Sequence, residues 1–326
     1  MPDRSPASSA AVVICTRNRP DELAKTLRSV AGQKGAARRR VLVVDASDPD
    51  NKHRTAQAIA TVEDDVPIQH CLYQDPPSLA RQRNHGVERL PSAVDIVHFI
   101  DDDVTLRPGY FFFLSTVIHT HPEVSGVGGL ILEPDRSPSS RRASFLRRVF
   151  LLDHSQDGHV LPSGATTSAQ LPTPVPSAPD LRSTEWLSGC SSTYRRALLD
   201  RHRFDDTLTG YSMLEDLDLS YRIGQGSRLV VQPEAQLLHR RSPRNRFDAE
   251  QYHAALTVHR RWFIEKHFGN LRSRAAYWWS TMGRALALLT SSASHARSAL
   301  RGLLQGARLV WNRQSPLLRR AASDDG

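Results

Sequence analysis

The chain is short of cysteine, of long apolar runs and, over its last quarter, of acidic residues, and each shortage excludes something. Its three cysteines among 326 residues, Cys15, Cys71 and Cys190, show none of the paired spacings of zinc sites or dithiol redox motifs, so a reducing compartment is expected. No run reaches the roughly 18 apolar residues of a membrane span. Residues 1–10 lack the basic segment and apolar core of a secretory signal, which makes a cytoplasmic location the expected one. Acid is scarce only late: residues 240–320 carry 16 Lys/Arg against 3 Asp/Glu, whereas residues 1–239 carry 27 against 29. The net charge of +9 therefore belongs to a basic C-terminal quarter behind a near-neutral body. Such a tail suits phosphates, of lipids or of nucleic acid. It shows no helix-turn-helix, zinc or aromatic ribonucleoprotein pattern, which disfavours nucleic acid as the partner.

What is present is a 39% apolar content, enough for a substantial core, and an alternating layout. Short apolar runs at 12–15, 41–44, 68–73, 95–100 and 124–132 predict strands, and the periods at 21–33, 54–62, 79–90 and 110–121 predict helices between them. That order predicts an α/β fold with a parallel sheet, whose ligands lie beyond the C-terminal strand ends. Between 134 and 183 the composition turns to Pro, Ser and Thr, which predicts a long mobile insertion without helix, carrying one apolar piece at 145–152. Residues 249–268 and 274–311 are helical by period.

Asp101, Asp102 and Asp103 follow an apolar strand directly. Two unit charges about 4 Å apart repel by about 1 kcal/mol in water and about 4 kcal/mol at an effective dielectric near 20, so such a cluster recruits a cation or shifts its pKa. Oxygen ligands suit Mg²⁺ or Mn²⁺ bridging to phosphate. A solvated turn or a helix start is the alternative. Polar residues also close the earlier strands: Thr16, Arg17, Asn18 and Arg19 before Pro20, and Asp45, Ala46 and Ser47 after the second. Two arginines beside a helix start favour an anion, with Asn18 as a plain N-cap the competing reading.

These segments, taken in order over about residues 11–241, resemble the inverting, metal-dependent nucleotide-sugar glycosyltransferases of family 2, with the GT-A fold. The resemblance implies a Rossmann-like mixed, mainly parallel sheet flanked by helices, with a helical basic C-terminal extension. Its implied layout is a disordered 1–10, a catalytic domain at 11–246 containing the insertion, a basic helical region at 247–320 and a tail at 321–326. Thr16, Arg17 and Asn18 match the nucleotide-contacting turn, and Asp45 the aspartate that bonds the base. Leu79 to Gly86 resembles the family's Arg-Asn-x-Gly helix, which implies that Arg83 and Arg81 hold the donor. The aspartates resemble the metal-binding Asp-x-Asp, with Asp101 and Asp103 as ligands, Asp102 near the donor, and residues 104–110 as the turn that follows.

Trp186 to Arg196 resembles the segment lining the acceptor pocket, and Glu215, Asp216, Leu217 and Asp218 the motif that supplies the base. The resemblance implies Asp216 as base, with Glu215 as the alternative. Asp218 and Arg222, at i and i+4, read as a surface helix pair. His239 corresponds to a histidine that completes the metal site in relatives, and Arg240 and Arg241 are positioned to meet the diphosphate. Processive members share a Gln-x-x-Arg-Trp motif. Here Arg261 and Trp262 are preceded by Val258 where Gln is needed, so transfer of one sugar is expected.

The implied donor is a nucleotide-diphospho-sugar and the acceptor a glycan or lipid-linked glycan, in cell-surface polysaccharide or glycolipid assembly. Two stripes remain in the tail: Trp278, Met282, Leu286 and Leu289, and Leu300, Leu303, Leu304, Ala307 and Trp311 flanked by Arg297, Arg301 and Arg308. They read either as packing on the catalytic body or as peripheral contact with an anionic membrane, at the inner face of the plasma membrane. A sugar-nucleotide pyrophosphorylase would carry glycine between Cys15 and Pro20, and none is there. A non-catalytic binding protein would leave the aspartates and Asp216 without a role.

Overall fold

The computed structural model describes residues 9–34, 39–133, 141–172, 180–242 and 247–321. Most of the expected N-terminal segment, the end of the tail, and parts of the expected insertion (134–140 and 173–179) lie outside the described residues.

The first half is strand and helix in turn: β1 (Ser9–Thr16), α1 (Pro20–Ala31), β2 (Arg40–Asp45), α2 (Pro49–Ala60), β3 (Ile68–Leu72), α3 (Leu79–Glu88) and β4 (Val94–Asp101). These strands pair parallel in the order β3-β2-β1-β4. Helices on both faces bury the strands, which is why Val12, Val13, Ile14, Val41, Leu42 and Val43 are all inaccessible and the runs read as continuous apolar sequence. Proline opens α1 and α2 at a position where no backbone N–H is needed. Ser78 caps α3 by accepting from the Arg81 N–H.

The second half is mixed, with antiparallel as well as parallel pairing. It comprises β5 (Val104–Leu106), α4 (Tyr110–Thr120), β6 (Val124–Leu132), then α5 (Arg141–Val149), β7 (Arg182–Thr184), β8 (Ser191–Arg195), α6 (Arg196–Arg201), α7 (Glu215–Gly224) and β9 (Arg228–His239). Among the described residues one nine-stranded sheet runs β3-β2-β1-β4-β8-β6-β9-β5, with β7 also on β9. Two elements depart from the sequence reading. Residues 104–106, expected within a turn, form β5, because three residues suffice when β9 supplies the partner. A helix forms at 141–149, where none was expected, because the prolines of that region lie outside it.

The chain divides into two compact units, residues 1–135 with 169–245, and residues 136–168 with 246–326. The second holds α5 with α8 (Ala249–His267), α9 (Leu271–Leu289), α10 (Ala296–Trp311) and α11 (Pro316–Ala321). Its core includes Val258, Ile264, Tyr277 and Val310. Asp248 and Gln251 form a capping box on α8, and Asn270 caps α9. The stretch expected as one helix over 274–311 breaks after Leu289, where Thr290 bonds back to the Leu286 carbonyl and Ser291 accepts from the Ala293 N–H, competing with the helix ladder. No helix of the described residues is long and apolar enough to cross a membrane.

Candidate active site

The end of β4 carries the acidic turn, and the three aspartates take different directions. Asp102 is buried: Thr16 Oγ1 donates to it at 2.7 Å and Arg19 Nη1 at 3.1 Å. Burial pushes its carboxyl up to about 7, against the pull of Arg19. Asp103 is also buried and receives the Ser242 N–H at 2.9 Å, while its Oδ1 lies 3.2 Å from His239 Nε2. Asp101 is about one-third exposed. Asp101, Asp103 and His239 each offer a ligand atom, and these lie within 4.8 Å of one another. The convergence follows from strand register: β5 returns antiparallel along β9 with Val104 opposite His239, so the histidine at the end of β9 meets the aspartates just before β5. Glu133 Oε1 stands 4.0 Å from His239 Nδ1 and 3.2 Å from Arg241 Nε.

Arg83, on α3, is 3% exposed and bridges two carboxylates, donating to Glu215 Oε1 at 2.7 Å and Asp101 Oδ1 at 3.2 Å. Its guanidinium also lies over the Phe204 ring at 5.4 Å and the Phe99 ring at 5.9 Å. Burial lowers its pKa, yet Glu215 and Asp101 more than offset this and the net shift is upward. Gly189 is needed beside it, since a Cβ there would stand 2.3 Å from Arg83 Nη1. The same glycine donates its N–H to Asp216 Oδ2 at 2.8 Å, and Leu217 N–H donates to Asp216 Oδ1 at 2.8 Å. Burial raises the Asp216 pKa against these donors and Arg83. Glu215 is more deeply buried, and its pKa is raised well above the ordinary glutamate value by burial and then by Asp216, with Arg83 opposing. Asp218 forms the expected pair with Arg222 at 2.8 Å, but it is fully buried rather than at the surface.

The turn after β1 is tied to the turn after β2. Asn18 N–H donates to Ser47 Oγ at 2.7 Å, Asn18 Nδ2 donates to Asp48 Oδ2 at 2.7 Å, and Asp48 N–H donates to Asn18 Oδ1 at 2.9 Å. Asn18 is therefore a cross-link and not the N-cap of α1, which is Arg19. Arg17 is exposed. Asp45 is fully buried, accepting from Ser47 N–H at 2.8 Å with His70 Nε2 at 3.1 Å from its other oxygen. Arg81 turns to the Asp206 carbonyl at 3.1 Å. Arg240 is taken up by Glu22, at 2.9 Å, and by Thr26 and Thr105. Arg19, Glu133 and His70 are site neighbours to which the motifs gave no role, whereas Gly189 lies in the 186–196 segment expected to line the acceptor pocket. Of those three only Arg19 had a signal, as the second arginine of the turn after β1.

A mainly parallel sheet flanked by helices, with an acidic turn where β4 ends, defines a GT-A fold. The family described as "Glycosyltransferase like family 2" matches residues 6–264, and the chain belongs to it. No curated protein matches the chain in sequence. Among solved structures it is similar to GalNAc-T7 in a crystal structure with UDP, GalNAc and Mn²⁺, at TM-score 0.55 and 13% identity over 84% of this chain and 55% of that one. It is similar to S. aureus TarS 1-349 at TM-score 0.51 and 13% identity, over 94% and 92% of the two chains. It is similar to the mannosyltransferase PcManGT from Pyrobaculum calidifontis, in complex with GDP-Man and Mn²⁺, at TM-score 0.52 and 18% identity, over 99% and 88%. The chain thus spans about half the length of the GalNAc-T7 chain. At these identities the likeness is one of fold.

Proposed function

We propose that the chain transfers one glycosyl residue from a nucleoside-diphosphate sugar to a hydroxyl acceptor, with inversion at the anomeric carbon. The observation that carries this reading is the approach of Asp101, Asp103 and His239 ligand atoms to within 4.8 Å, with Arg83 linking Asp101 to the α7 start that bears Asp216. Two carboxylates and an imidazole are a donor set that suits Mn²⁺ or Mg²⁺. Bound there, such an ion supplies positive charge against the departing diphosphate. Asp216 accepts the proton of the acceptor hydroxyl as the new bond forms. Its raised pKa makes it a stronger base than an exposed aspartate, and its two backbone donors hold it in place. Glu215, buried against Arg83, positions the start of α7 and is not the base in this reading. Arg17 and Arg241, both exposed, are the cations proposed to meet the donor phosphates. Thr16 and Asp102 shape the turn beneath them, and Asn18, Asp45 and Arg81 act by holding the surrounding loops. A glycan or lipid-linked acceptor in polysaccharide or glycolipid assembly is the proposed setting.

The test is thermal unfolding with a panel of nucleoside diphosphates, with and without Mn²⁺, for the wild type and Asp103→Asn. A Mn²⁺-dependent rise with one nucleotide, absent in the variant, supports the reading. A ligand at 100 times its Kd stabilises by about 2.7 kcal/mol, which such a scan resolves. Folded protein that responds to no nucleotide overturns it. The anomeric configuration of the product, read by NMR from a donor of known configuration, tests inversion.

A further inference from the structure

The helical unit carries a surface that contains none of the residues proposed above for sugar transfer. Together α5, α9 and α10 contain ten arginines and no lysine, aspartate or glutamate. On α9, Leu271, Trp279, Met282, Leu286 and Leu289 are 80%, 43%, 43%, 46% and 65% exposed. Their spacing places them in one stripe along a helix about 28 Å long at about 1.5 Å per residue. Beyond the first turn the arginines of α9 turn away from that stripe, Arg274 to Glu265 at 2.6 Å and Arg284 to His253 at 3.0 Å.

The stripe continues onto α5. Trp279 Nε1 donates to the Val149 carbonyl at 2.8 Å, and the Phe150 ring lies 5.1 Å from that of Trp279. Gly283 makes the approach possible, because a Cβ there would stand 2.2 Å from Phe150. Phe145, Leu146 and Val149, all exposed, therefore extend the apolar band, beside exposed Arg142 and Arg148. The far flank is α10, whose Trp311 ring is 5.8 Å from Trp278. Its outer face presents Arg297, Arg301, Leu304, Arg308 and Trp311, all exposed.

Exposed leucine and aromatic side chains bordered by arginine are the composition of a helix lying in a lipid interface. A second copy of this chain fits poorly, because a two-fold contact through the band would set arginine rim against arginine rim. Nucleic acid would use the arginines and leave the leucines in water. We infer that this face docks on an anionic lipid surface, with α9 and α5 entering the interface and the arginines of α5 and α10 meeting headgroup phosphates. This rests on the helical unit alone and not on the transfer reading.

The test is co-sedimentation of the full chain with phosphatidylcholine vesicles and with vesicles also containing phosphatidylglycerol, at low and high salt. The variants are Leu286→Gln/Leu289→Gln and Arg297→Gln/Arg301→Gln/Arg308→Gln, whose altered side chains are exposed or border solvent. Binding at least about tenfold tighter to the anionic vesicles, weakened by salt, supports the inference. So does loss of that preference in the arginine variant and of binding in the leucine variant. No binding by the wild type at low salt, or binding that both folded variants retain, overturns it. A wild-type dimer that the leucine variant converts to monomer, without vesicle binding, also overturns it in favour of a second copy. The nucleotide-induced thermal shift is expected to be the same in all three proteins, which separates failure here from failure of the transfer reading.

Discussion

Arg83 and Glu215 lie 132 residues apart in the chain and meet at 2.7 Å inside the protein, while the other guanidinium nitrogen reaches Asp101 at 3.2 Å. One buried cation therefore serves both the acidic turn after β4 and the start of α7. The arrangement distinguishes two adjacent carboxylates: Glu215 is engaged by the arginine, and Asp216 is held by backbone N–H groups and stays partly accessible.

Removing that cation should be costly. Arg83→Met leaves Glu215 and part of Asp101 without a counter-charge, and breaking a buried pair costs about 3–5 kcal/mol. Arg83→Met/Glu215→Leu should lose clearly less than the sum of the two single changes. Urea unfolding measures both, and additive losses would show that the pair is not coupled.

Asp216→Asn should lower kcat by about 10²–10⁴ while leaving the nucleotide-induced thermal shift in place. Because the base must be deprotonated and burial raises its pKa, kcat/KM should fall with decreasing pH along a limb centred above the ordinary aspartate value of about 3.9. A limb centred at or below that value would assign the proton transfer to another group.

Chelation should abolish transfer together with the Mn²⁺-dependent part of the thermal shift. His239→Ala should raise the Mn²⁺ concentration needed by at least the roughly 10–100-fold that outer-shell partners of metal sites carry. Metal titration followed by activity and by unfolding checks this, and an unchanged requirement would remove His239 from the ligand set.

His98 is fully buried, with Thr193 Oγ1 2.8 Å from its Nδ1, and burial pushes its pKa down to about 3. The unfolded chain takes up this proton near pH 6.5, and the folded chain does so only near 3. Its contribution to stability is therefore complete above about pH 6.5 and is lost as pH falls toward 3, a total on the order of 5 kcal/mol. His98→Asn should flatten the dependence of unfolding free energy on pH between about 7 and 4.5. Equal slopes in the two proteins would show that His98 does not titrate in that window.

The α/β order of the first unit was legible because fully buried parallel strands need continuous apolar runs, and β1, β2 and β4 have them. β9 was harder to read, since Gln232, Glu234 and Gln236 interrupt its pattern. The break between α9 and α10 was hidden because helical period persists on both sides of it, while local side-chain bonds at Thr290 and Ser291 end the helix. Among site residues, the acidic turn could be read from three adjacent aspartates, but the inward turn of Asp102 onto Thr16 and Arg19 could not. Arg81 and Arg83 look alike in sequence, two positions apart on α3. One ends on a backbone carbonyl and the other between two carboxylates, because successive helix positions face different neighbours.

Composition, apolar period and charge are properties of neighbouring residues, so the sequence alone determined the strand and helix order from β1 to β4, the acidic turn at the end of β4 and the separation of a neutral body from a basic C-terminal region. Which distant groups meet was decided only by tertiary structure. The pairing of Val104 with His239 brings the histidine to the aspartates, and the Arg83 side chain reaches from α3 to Glu215 at the start of α7. A shift of one residue in a strand register turns each side chain to the opposite face. Such convergence depends on contacts between segments more than 100 residues apart, and short-range pattern carries no record of them.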